Sequence, residues 1–362
     1  MLYQQEIYVG HCFLLEKVMP LLRAKGLEKV YVLVDRQVEN LHQSYLSSLR
    51  ETLPSGHFFE IDGVEAAKEL SSVQEYAGRL LQAGANRQST FVAIGGGVVT
   101  DMVAFLASIY MRGVSCILLP TTLLAMVDAS VGGKSAVNLC GVKNVLGTFA
   151  PAEAVFCDVS FLSTLSESDL MSGYGELLKH ALLQGEEAWR QLLCFDPWKQ
   201  STLQWGSVVE GAVAYKQSVV TRDFYDRGVR RYLNLGHTFG HALETLSHHR
   251  KDGLEALSHG AAVAAGLVCE LYASVLRCGL PRQVLFQYIY HYKELYPRFL
   301  ITCKEYKEIV GYMLYDKKND ASQKKDACVN CVALSQPGKP SMVSLSEEEI
   351  KECLDFYREA LG

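Results

Sequence analysis

The sequence predicts an α/β N-terminal domain with a parallel sheet, followed by a mostly α-helical C-terminal domain. Strand-like and helix-like segments alternate over the first third of the chain, which is typical of a parallel sheet covered by helices. After about Phe156 helical periodicity dominates. The length of 362 residues is sufficient for two domains. We therefore expect one domain at residues 1–160 and a helical domain at residues 161–362.

Four short apolar segments are the predicted strands of the sheet. They run from Val30 to Asp35, Phe58 to Asp62, Thr90 to Gly97 and Cys116 to Thr122. Helices are expected from Glu65 to Leu81 and directly after the third strand. In the second domain we expect helices from Glu167 to Gln184, Gln204 to Thr221, Thr238 to His248, Gly260 to Leu276, Val284 to Tyr292 and Glu347 to Leu361.

Composition and charge disfavour several classes of protein. The net charge of −5 lacks the basic excess of a nucleic-acid-binding protein. We find no secretory signal pattern and no run of about 18 apolar residues that would indicate a membrane span. Eleven scattered cysteines favour reduced thiols in a cytoplasmic protein. Cys328 and Cys331 form a CxxC in an apparent strand, and we expect strand residues there rather than a zinc site.

A glycine-rich turn follows the third predicted strand. Gly95, Gly96 and Gly97 precede a helix, so backbone N–H groups at its N-terminus can bind an anion. Glycine allows a pyrophosphate to approach the backbone closely, but the pattern is not GxGxxG, and a simple tight turn is an equally good interpretation. Asp35 ends an earlier strand and could accept a ribose hydroxyl or cap a helix.

Two histidines at helical spacing favour a metal or phosphate site, although ordinary half-buried histidines are an equally good interpretation. His237 and His241 are four residues apart, so both rings project from one helical face. His259 precedes an apolar helix, and Glu176 and Lys179 share a face of another. Glu176, His237 and His259 can supply the three N and O ligands of a catalytic divalent metal. The spacing leaves open whether His241 is a ligand or a neighbour suited to proton transfer.

Cations accompany the glycine-rich segments. Lys134 lies in an apolar, glycine-rich setting, where a surface lysine is less expected. Further cations are Lys143, Lys216, Arg230 and the Lys317/Lys318 pair, which lies in a predicted loop. Asp128 and Asn144 are uncharged or acidic residues of the same glycine-rich stretch as Lys134 and Lys143. Several cations near an anion site favour a substrate with phosphate, carboxylate or both.

Taken in order, seven motifs resemble those of the 3-dehydroquinate synthase family. They are GGGVVTD, RG, LPTTLLAMVDASVGGKSAVN, KNVLGTF, GYGELLKH, RYLNLGHTFGHALE and LSHG. The resemblance extends over residues 65–325 and is strongest over residues 94–266. Two positions depart from the family pattern. Gly175 stands where alanine often precedes the metal-binding glutamate, and Asp226 stands where glutamate is usual.

The resemblance also implies roles for individual residues. It implies an NAD site lined by Gly95, Gly96, Gly97, Asp101, Thr121, Thr122, Asp128, Lys143, Asn144 and Thr164, with Asp35, Glu65 and Lys68 at the adenosine end. It implies that zinc or cobalt is bound by Glu176, His237 and His259. It implies a substrate site of Lys134, Lys179, Lys216, Arg230, Asn234, His241 and one lysine of the 317/318 pair, with Lys318 preferred. In the homodimer that it implies, Arg112 reaches the phosphate from the partner subunit.

The function implied by the resemblance is a cyclisation in the shikimate pathway. The substrate of the family is 3-deoxy-D-arabino-heptulosonate 7-phosphate, and the products are 3-dehydroquinate and phosphate. Transient oxidation by NAD acidifies a C–H, phosphate leaves by β-elimination, and reduction and an intramolecular aldol reaction follow. Two alternatives are another sugar-phosphate cyclase and an NAD- and metal-dependent polyol dehydrogenase. Lys134 and Lys143 disfavour the dehydrogenase. A non-catalytic NAD-binding protein would have lost site residues, and we find none lost.

Overall fold

The chain folds into two units in a computed structural model that describes residues 5–250, 256–315 and 328–361. Unit 1 comprises Met1–Ser166 and Lys199–Asp226, and unit 2 comprises Glu167–Trp198 and Arg227–Gly362. This division differs from the predicted one at residue 160, because a long helix from the second half of the chain packs within unit 1. The predicted loop with Lys317 and Lys318 lies outside the described residues.

A parallel sheet of six strands is the centre of unit 1. The strands of unit 1 are β1 (Glu6–Gly10), β2 (Val30–Asp35), β3 (Phe58–Ile61), β4 (Thr90–Gly95), β5 (Ser115–Pro120), β6 (Lys134–Leu139), β7 (Val142–Phe149) and β8 (Ala154–Asp158). The sheet has the order β1-β8-β5-β4-β2-β3, and β6 and β7 form a separate antiparallel hairpin. Strands β2, β4 and β5 are almost entirely buried, as expected for a sheet covered on both faces.

Helices account for most of the remaining structure. In chain order they are α1 (Met19–Lys25), α2 (Arg36–Leu41), α3 (Gln43–Thr52), α4 (Leu70–Gln82), α5 (Gly97–Ile109), α6 (Glu167–Gln184), α7 (Glu186–Leu193), α8 (Thr202–Arg222), α9 (His237–His249), α10 (His259–Cys278), α11 (Arg282–Leu295), α12 (Tyr306–Tyr315) and α13 (Glu347–Leu361). The predicted fold class, a parallel α/β region followed by a mostly helical region, is confirmed.

One predicted helix begins later than expected. The sequence predicts a helix from Glu65, but the chain forms a short 3-10 turn there, and α4 begins only at Leu70. The reason is a contact with the β6–β7 hairpin, since the carbonyl oxygen of Lys68 accepts a hydrogen bond from the backbone of Asn138 at 2.7 Å. Lys68 therefore leaves the helical conformation, with φ −78° and ψ 49°.

The strand order creates a crevice at one point of the sheet. From β2 the chain passes to β3 at one edge, and it then returns to the other side of β2 to form β4. In parallel α/β sheets, ligands bind beyond the carboxyl ends of the strands where the order reverses in this way. Asp35 ends β2 and Gly95 ends β4, so both lie at this point.

Unit 2 is a helical assembly around α10. This helix packs against α6, α9, α11 and α13 and against a hairpin of β9 (Val329–Leu334) and β10 (Pro340–Leu345). Among the described residues, α10 is the one helix long and apolar enough to span a membrane, with a mean hydropathy of 1.5. Since 67% of its apolar window is buried, it has the character of a core helix.

Candidate metal and nucleotide sites

The glycine turn of unit 1 joins β4 to α5. Gly95 ends the strand, and no side-chain hydrogen bond caps the helix at Gly96, its N-cap residue. The backbone N–H of Thr121 donates to the carbonyl oxygen of Gly95 at 2.9 Å, which holds the ends of β4 and β5 together. A Cβ atom at Gly96 would lie 3.0 Å from Cγ2 of Thr122. The turn thus has the close packing and the open helix N-terminus of an anion-binding loop.

Asp35 lies at the end of the neighbouring strand. Its Oδ1 accepts a hydrogen bond from the backbone of Gln37 at 2.8 Å, so it caps α2, which was one of the two interpretations of the sequence. Burial raises the pKa of Asp35. A Cβ at Gly63 would overlap its carboxylate, so glycine leaves room for Asp35 at the crevice.

A polar network connects residues 65–68, α5 and both strands of the β6–β7 hairpin in unit 1. The Lys68 ammonium donates to Oδ2 of Asp101 at 2.6 Å and to Oδ1 of Asn144 at 2.8 Å. Asn138 donates to Glu65 at 2.8 Å and accepts from the backbone of Asn144 at 2.9 Å. Burial raises the pKa of Asp101, although the charge and hydrogen bond of Lys68 lower it in part. The network therefore links four predicted cofactor-binding residues: Glu65, Lys68, Asp101 and Asn144. Its fifth member, Asn138, was not predicted, although it lies in the SAVN segment of the third motif.

The other predicted residues of unit 1 occupy different places. Buried Lys216 donates from α8 to the carbonyl oxygen and to Oδ1 of Asp128, at 2.5 and 2.7 Å. Thr164 bonds Nε2 of His42 at 2.7 Å, and burial lowers the pKa of that histidine. Lys143, on β7, and Arg112, in a 3-10 turn after α5, are exposed.

Lys134 lies at the surface, which its apolar, glycine-rich sequence neighbours made less expected. Its side chain is 47% exposed, and its ammonium forms an ion pair with Asp226. Lys134 begins β6, where the first residues alternate between exposed and buried, and it lies on the exposed side. The pair also shows that the aspartate at position 226 reaches a cation despite its short side chain.

The three predicted metal ligands meet in unit 2. Glu176 on α6 is fully buried, and its Oε1 lies 3.4 Å from Nε2 of His237 on α9 and 3.4 Å from Nε2 of His259 on α10. His241 completes a cluster of histidines whose ring centroids are 5.2 to 5.7 Å apart. One ring nitrogen of each of the three histidines lies within 4.8 Å of those of the others. Lys179, one turn from Glu176, is buried and forms an ion pair with its carboxylate.

The outer nitrogens of two imidazoles have acceptors of their own. Nδ1 of His237 lies 3.2 Å from the carbonyl oxygen of Leu235, and Nδ1 of His259 lies 3.2 Å from Oε2 of Glu244. Both rings can therefore donate from Nδ1 and present Nε2 to the same point, which is how metal-binding histidines are held. Glu244 was not predicted, although it lies three residues after His241 in the quoted GHALE segment.

The two carboxylates beside His259 also change its ionisation. Burial lowers the pKa of His259, but hydrogen bonds to Glu176 and Glu244 outweigh this effect and raise the pKa to about 10. Glu176 and Glu244 thus place two carboxylates next to His259, where they favour a bound cation. Arg230 and Asn234, predicted substrate residues, lie in the 3-10 turn Val229–Asn234 directly before α9, and Arg230 is buried.

Glycines allow the helices that carry the ligands to approach closely. A Cβ at Gly260 on α10 would overlap the carbonyl oxygen of Ser172 on α6, and a Cβ at Gly175 would overlap the carbonyl oxygen of Gly260. On the other side of α10, a Cβ at Gly240 would lie 2.8 Å from the carbonyl oxygen of Ala262. Glycine at position 175, a departure from the family pattern, therefore has a packing reason, since α6 and α10 are in backbone contact next to Glu176.

Comparison with known families agrees with the sequence motifs. Residues 58–172 match the family described as 3-dehydroquinate synthase N-terminal, and residues 173–319 match the family described as 3-dehydroquinate synthase C-terminal. The chain belongs to the 3-dehydroquinate synthase family. This confirms the resemblance that the seven motifs indicated.

Curated relatives of the 3-dehydroquinate synthase family are similar over most of their length. The 3-dehydroquinate synthase of Parabacteroides distasonis is 37% identical over 339 residues, which cover 92% of this chain and 93% of that protein. The 3-dehydroquinate synthase of Staphylococcus carnosus is 33% identical over 337 residues, covering 91% of this chain and 89% of that protein.

Solved structures share the fold of this 3-dehydroquinate synthase family member. A 2-deoxy-scyllo-inosose synthase complexed with carbaglucose-6-phosphate, NAD+ and Co2+ has a TM-score of 0.78 at 23% identity and covers 98% of this chain and 96% of its own. The 2-epi-5-epi-valiolone synthase of Streptomyces hygroscopicus, with NAD+ and Zn2+ bound, has a TM-score of 0.80 at 23% identity, covering 99% and 97%. The glycerol dehydrogenase of Schizosaccharomyces pombe has a TM-score of 0.65 at 13% identity, covering 100% and 91%.

Proposed function

We propose that the chain is a 3-dehydroquinate synthase, which converts 3-deoxy-D-arabino-heptulosonate 7-phosphate to 3-dehydroquinate and phosphate with NAD and a divalent metal ion. The observation that carries the proposal is the convergence of Glu176, His237 and His259 in unit 2. Two cyclases of the same fold contain NAD+ together with Co2+ or Zn2+. The relatives named 3-dehydroquinate synthase support the choice of this substrate over that of another cyclase.

The donor set of unit 2 fits zinc or cobalt. One carboxylate oxygen and two imidazole nitrogens match the three protein ligands of catalytic zinc sites. Glu176 would provide the oxygen, while the acceptors at Nδ1 hold His237 and His259 in the required tautomer. The metal, when bound, supplies a Lewis acid that lowers the pKa of a substrate hydroxyl.

The crevice of unit 1 fits a dinucleotide. The N–H groups of the turn at residues 95–97 would bind the pyrophosphate, and Asp35 and Glu65 would accept hydrogen bonds at the adenosine end. The Lys68, Asp101 and Asn144 network would hold the β6–β7 hairpin in place. We assign the remaining lining to Thr121, Thr122, Asp128, Lys143 and Thr164. Bound NAD supplies a reversible hydride acceptor, so that it acts as a catalyst without net consumption.

The cations provide binding of the substrate's anionic groups. We assign the contacts to carboxylate and phosphate to Lys134, Lys179, Lys216, Arg230, Asn234 and Lys318. His241 lies one helical turn after His237, with a ring centroid distance of 5.2 Å, and its imidazole is suited to move a proton at neutral pH. Fixing both ends of the substrate would lower the entropic part of the barrier.

The decisive experiment measures phosphate and NADH together. The purified protein is incubated with the heptulosonate phosphate, Co2+ and a substoichiometric amount of NAD. We expect one phosphate released per substrate consumed, many turnovers per NAD and no net NADH. Steady NADH accumulation that matches substrate loss would overturn the proposal in favour of a polyol dehydrogenase. Glucose 6-phosphate, which has a phosphate but no carboxylate, serves as the comparison substrate, and its preferred turnover would indicate another cyclase.

The ligand set has a separate test. We expect Glu176→Gln to lose bound metal as well as activity, since a neutral amide is a poor ligand. Metal content is measured by elemental analysis on protein whose circular dichroism is unchanged. Glu294→Gln, in the helix α11 of the same unit, is the control and should retain metal. Full metal occupancy in a folded Glu176→Gln protein would remove Glu176 from the set.

We also propose a homodimer in which Arg112 contacts the phosphate in the partner's site. Arg112 is exposed at the end of a 3-10 turn, with a positive φ of 75°, so its side chain is available to another subunit. Mixing inactive Arg112→Ala and Lys134→Ala proteins should restore activity through hybrid dimers. Absence of activity despite proven subunit exchange would count against this arrangement.

All eleven cysteines are free thiols, which supports the proposed cytoplasmic location.

A further inference from the structure

A buried carboxylate of unit 2 lies outside the predicted ligand set. Glu270, in the second half of α10, is fully buried. Its Oε2 accepts a hydrogen bond from the backbone N–H of Gly236 at 2.8 Å, and its Oε1 accepts one from that of Thr238 at 3.0 Å. Both carboxylate oxygens therefore bind amides at the N-terminus of α9.

These two amides lie on either side of a proposed metal ligand. Gly236 is the N-cap residue of α9 and has the left-handed conformation, with φ 81°, and His237 is the first residue of the helix. Since Gly236 and Thr238 are both held, the backbone that carries His237 has little freedom to rotate. Nδ1 of His237 bonds back to Leu235 at 3.2 Å, so the direction of its Nε2 depends on this same short segment.

The charge of the carboxylate suits this position. The first amides of a helix lack acceptors within the helix, and the N-terminus carries a partial positive charge. Gly236 has no side chain with which to cap α9, so Glu270 supplies the acceptors from the neighbouring helix. A charged acceptor forms stronger hydrogen bonds than a neutral one. A glutamine would instead direct an amide donor toward one of the two backbone donors, and that bond would be lost.

We propose that Glu270 is a positioning residue of the metal site, which fixes the first turn of α9 so that Nε2 of His237 faces Glu176. The inference rests on the proposed function, because it assumes that His237 binds the metal. Helix α10 then has two tasks. It carries one proposed ligand, His259, at its N-terminus. Eleven residues later it carries Glu270, the carboxylate that orients His237 of α9.

The test is a Co2+ titration of the full-length protein, followed by the absorption spectrum of bound Co2+. Glu349→Gln is the matched control, because Glu349 accepts from the backbone of Ser346 at 2.8 Å at the start of α13, a helix without a proposed ligand. We expect Glu270→Gln to weaken Co2+ binding about 10–100-fold and to change the spectrum. Glu349→Gln should leave both unchanged, even where it lowers the Tm.

Each other outcome has a defined meaning. Wild-type Co2+ affinity and spectrum in a folded Glu270→Gln protein would overturn the inference and leave the proposed metal site intact. Absence of specific Co2+ binding by the wild-type protein would overturn the site itself, and the inference with it. If Glu270→Gln does not fold, Glu270→Asp takes its place, since it keeps the charge on a shorter side chain. Weaker Co2+ binding with unchanged NAD affinity would then support the positioning role, and unchanged Co2+ binding would overturn it.

Discussion

The carboxylate of Glu244 lies 3.2 Å from Nδ1 of His259 and so orients an imidazole of α10 from the neighbouring helix α9. Partners of this kind typically contribute about 10–100-fold to metal affinity. We expect Glu244→Gln to weaken zinc binding by a factor in that range, because a neutral amide is a poorer acceptor. Competition with a chromogenic chelator measures the affinity. Glu308→Gln, an exposed carboxylate of α12, is the control, and equal affinities in the two variants would contradict the prediction.

Because α6 and α10 are closely packed at Gly260, a single methyl group added there should destabilise the protein. Gly260→Ala should lower the free energy of unfolding by about 1–3 kcal/mol, because the new Cβ overlaps a backbone oxygen of Ser172 and the helices must separate. The same displacement moves His259 away from Glu176, so bound metal should fall as well. Gly311→Ala in α12, where the Cβ meets open space, should be neutral or stabilise by up to about 1 kcal/mol. Calorimetry and elemental analysis measure the two effects, and an unchanged Tm in Gly260→Ala would refute the packing argument.

Lys68 forms a buried ion pair, and breaking it should lower the free energy of unfolding more than breaking a surface ion pair does. Lys68→Met leaves Asp101 without its partner and should cost about 3 kcal/mol of unfolding free energy in urea denaturation, as well as weakening NAD binding. Lys25→Met, which breaks the more exposed pair with Glu153, should cost only about 0–1 kcal/mol. The double replacement Lys68→Met with Asp101→Leu should recover part of the loss. Equal costs for the two lysines would show that the buried network is not stabilising.

A buried histidine predicts how stability depends on pH. Nε2 of His291 lies 3.0 Å from the hydroxyl of Tyr174, and burial lowers the pKa of His291 more than nearby Glu294 raises it. The unfolded chain, with an imidazole pKa near 6.5, therefore binds this proton at higher pH than the folded protein does. Below about pH 6.5 the free energy of unfolding should fall, by at most about 1.4 kcal/mol per pH unit, until the folded-state pKa is reached.

The contribution of that histidine is measured by removing it. His291→Gln should flatten the decrease of Tm between about pH 7 and pH 5, since glutamine does not titrate. His11→Gln, an exposed histidine of unit 1, should leave the decrease unchanged. The same pH dependence in wild-type protein and His291→Gln would assign the effect to other groups.

Local patterns were sufficient to predict four of the six parallel strands and the long helices, whereas β1 and β8 were not predicted. The predicted strand from Val30 to Asp35 and the predicted helix from Glu167 to Gln184 have the observed bounds, because continuous burial and helical periodicity are visible within each segment. The β6–β7 hairpin was not predicted. Its second strand is mostly exposed, and its four apolar residues neither alternate with polar ones nor form a continuous run, so no strand pattern marks it.

The metal ligands and their supporting carboxylates differ in how far sequence can identify them. His237 and His241 share a helical face, and the spacing alone reveals it. Glu244 and Glu270 act on residues of another helix, so their roles depend on which faces of α9 and α10 meet. The one available signal for Glu270 was its position as the single carboxylate of a helix whose other buried residues are apolar or small. Lys134 was misjudged because apolar neighbours in sequence do not determine which side of a strand faces solvent.

The central position of α10 has a consequence for biosynthesis. The helices α6 and α9, which cover part of its surface, precede it in the chain, but α11, β9 and α13 are synthesised after it. A nascent chain that has emerged only as far as Cys278 therefore exposes an apolar helix whose remaining cover does not yet exist. Ribosome-bound or truncated chains that end before α13 should consequently recruit chaperones or aggregate, since the fifteen residues of this helix, Glu347–Leu361, pack against α10.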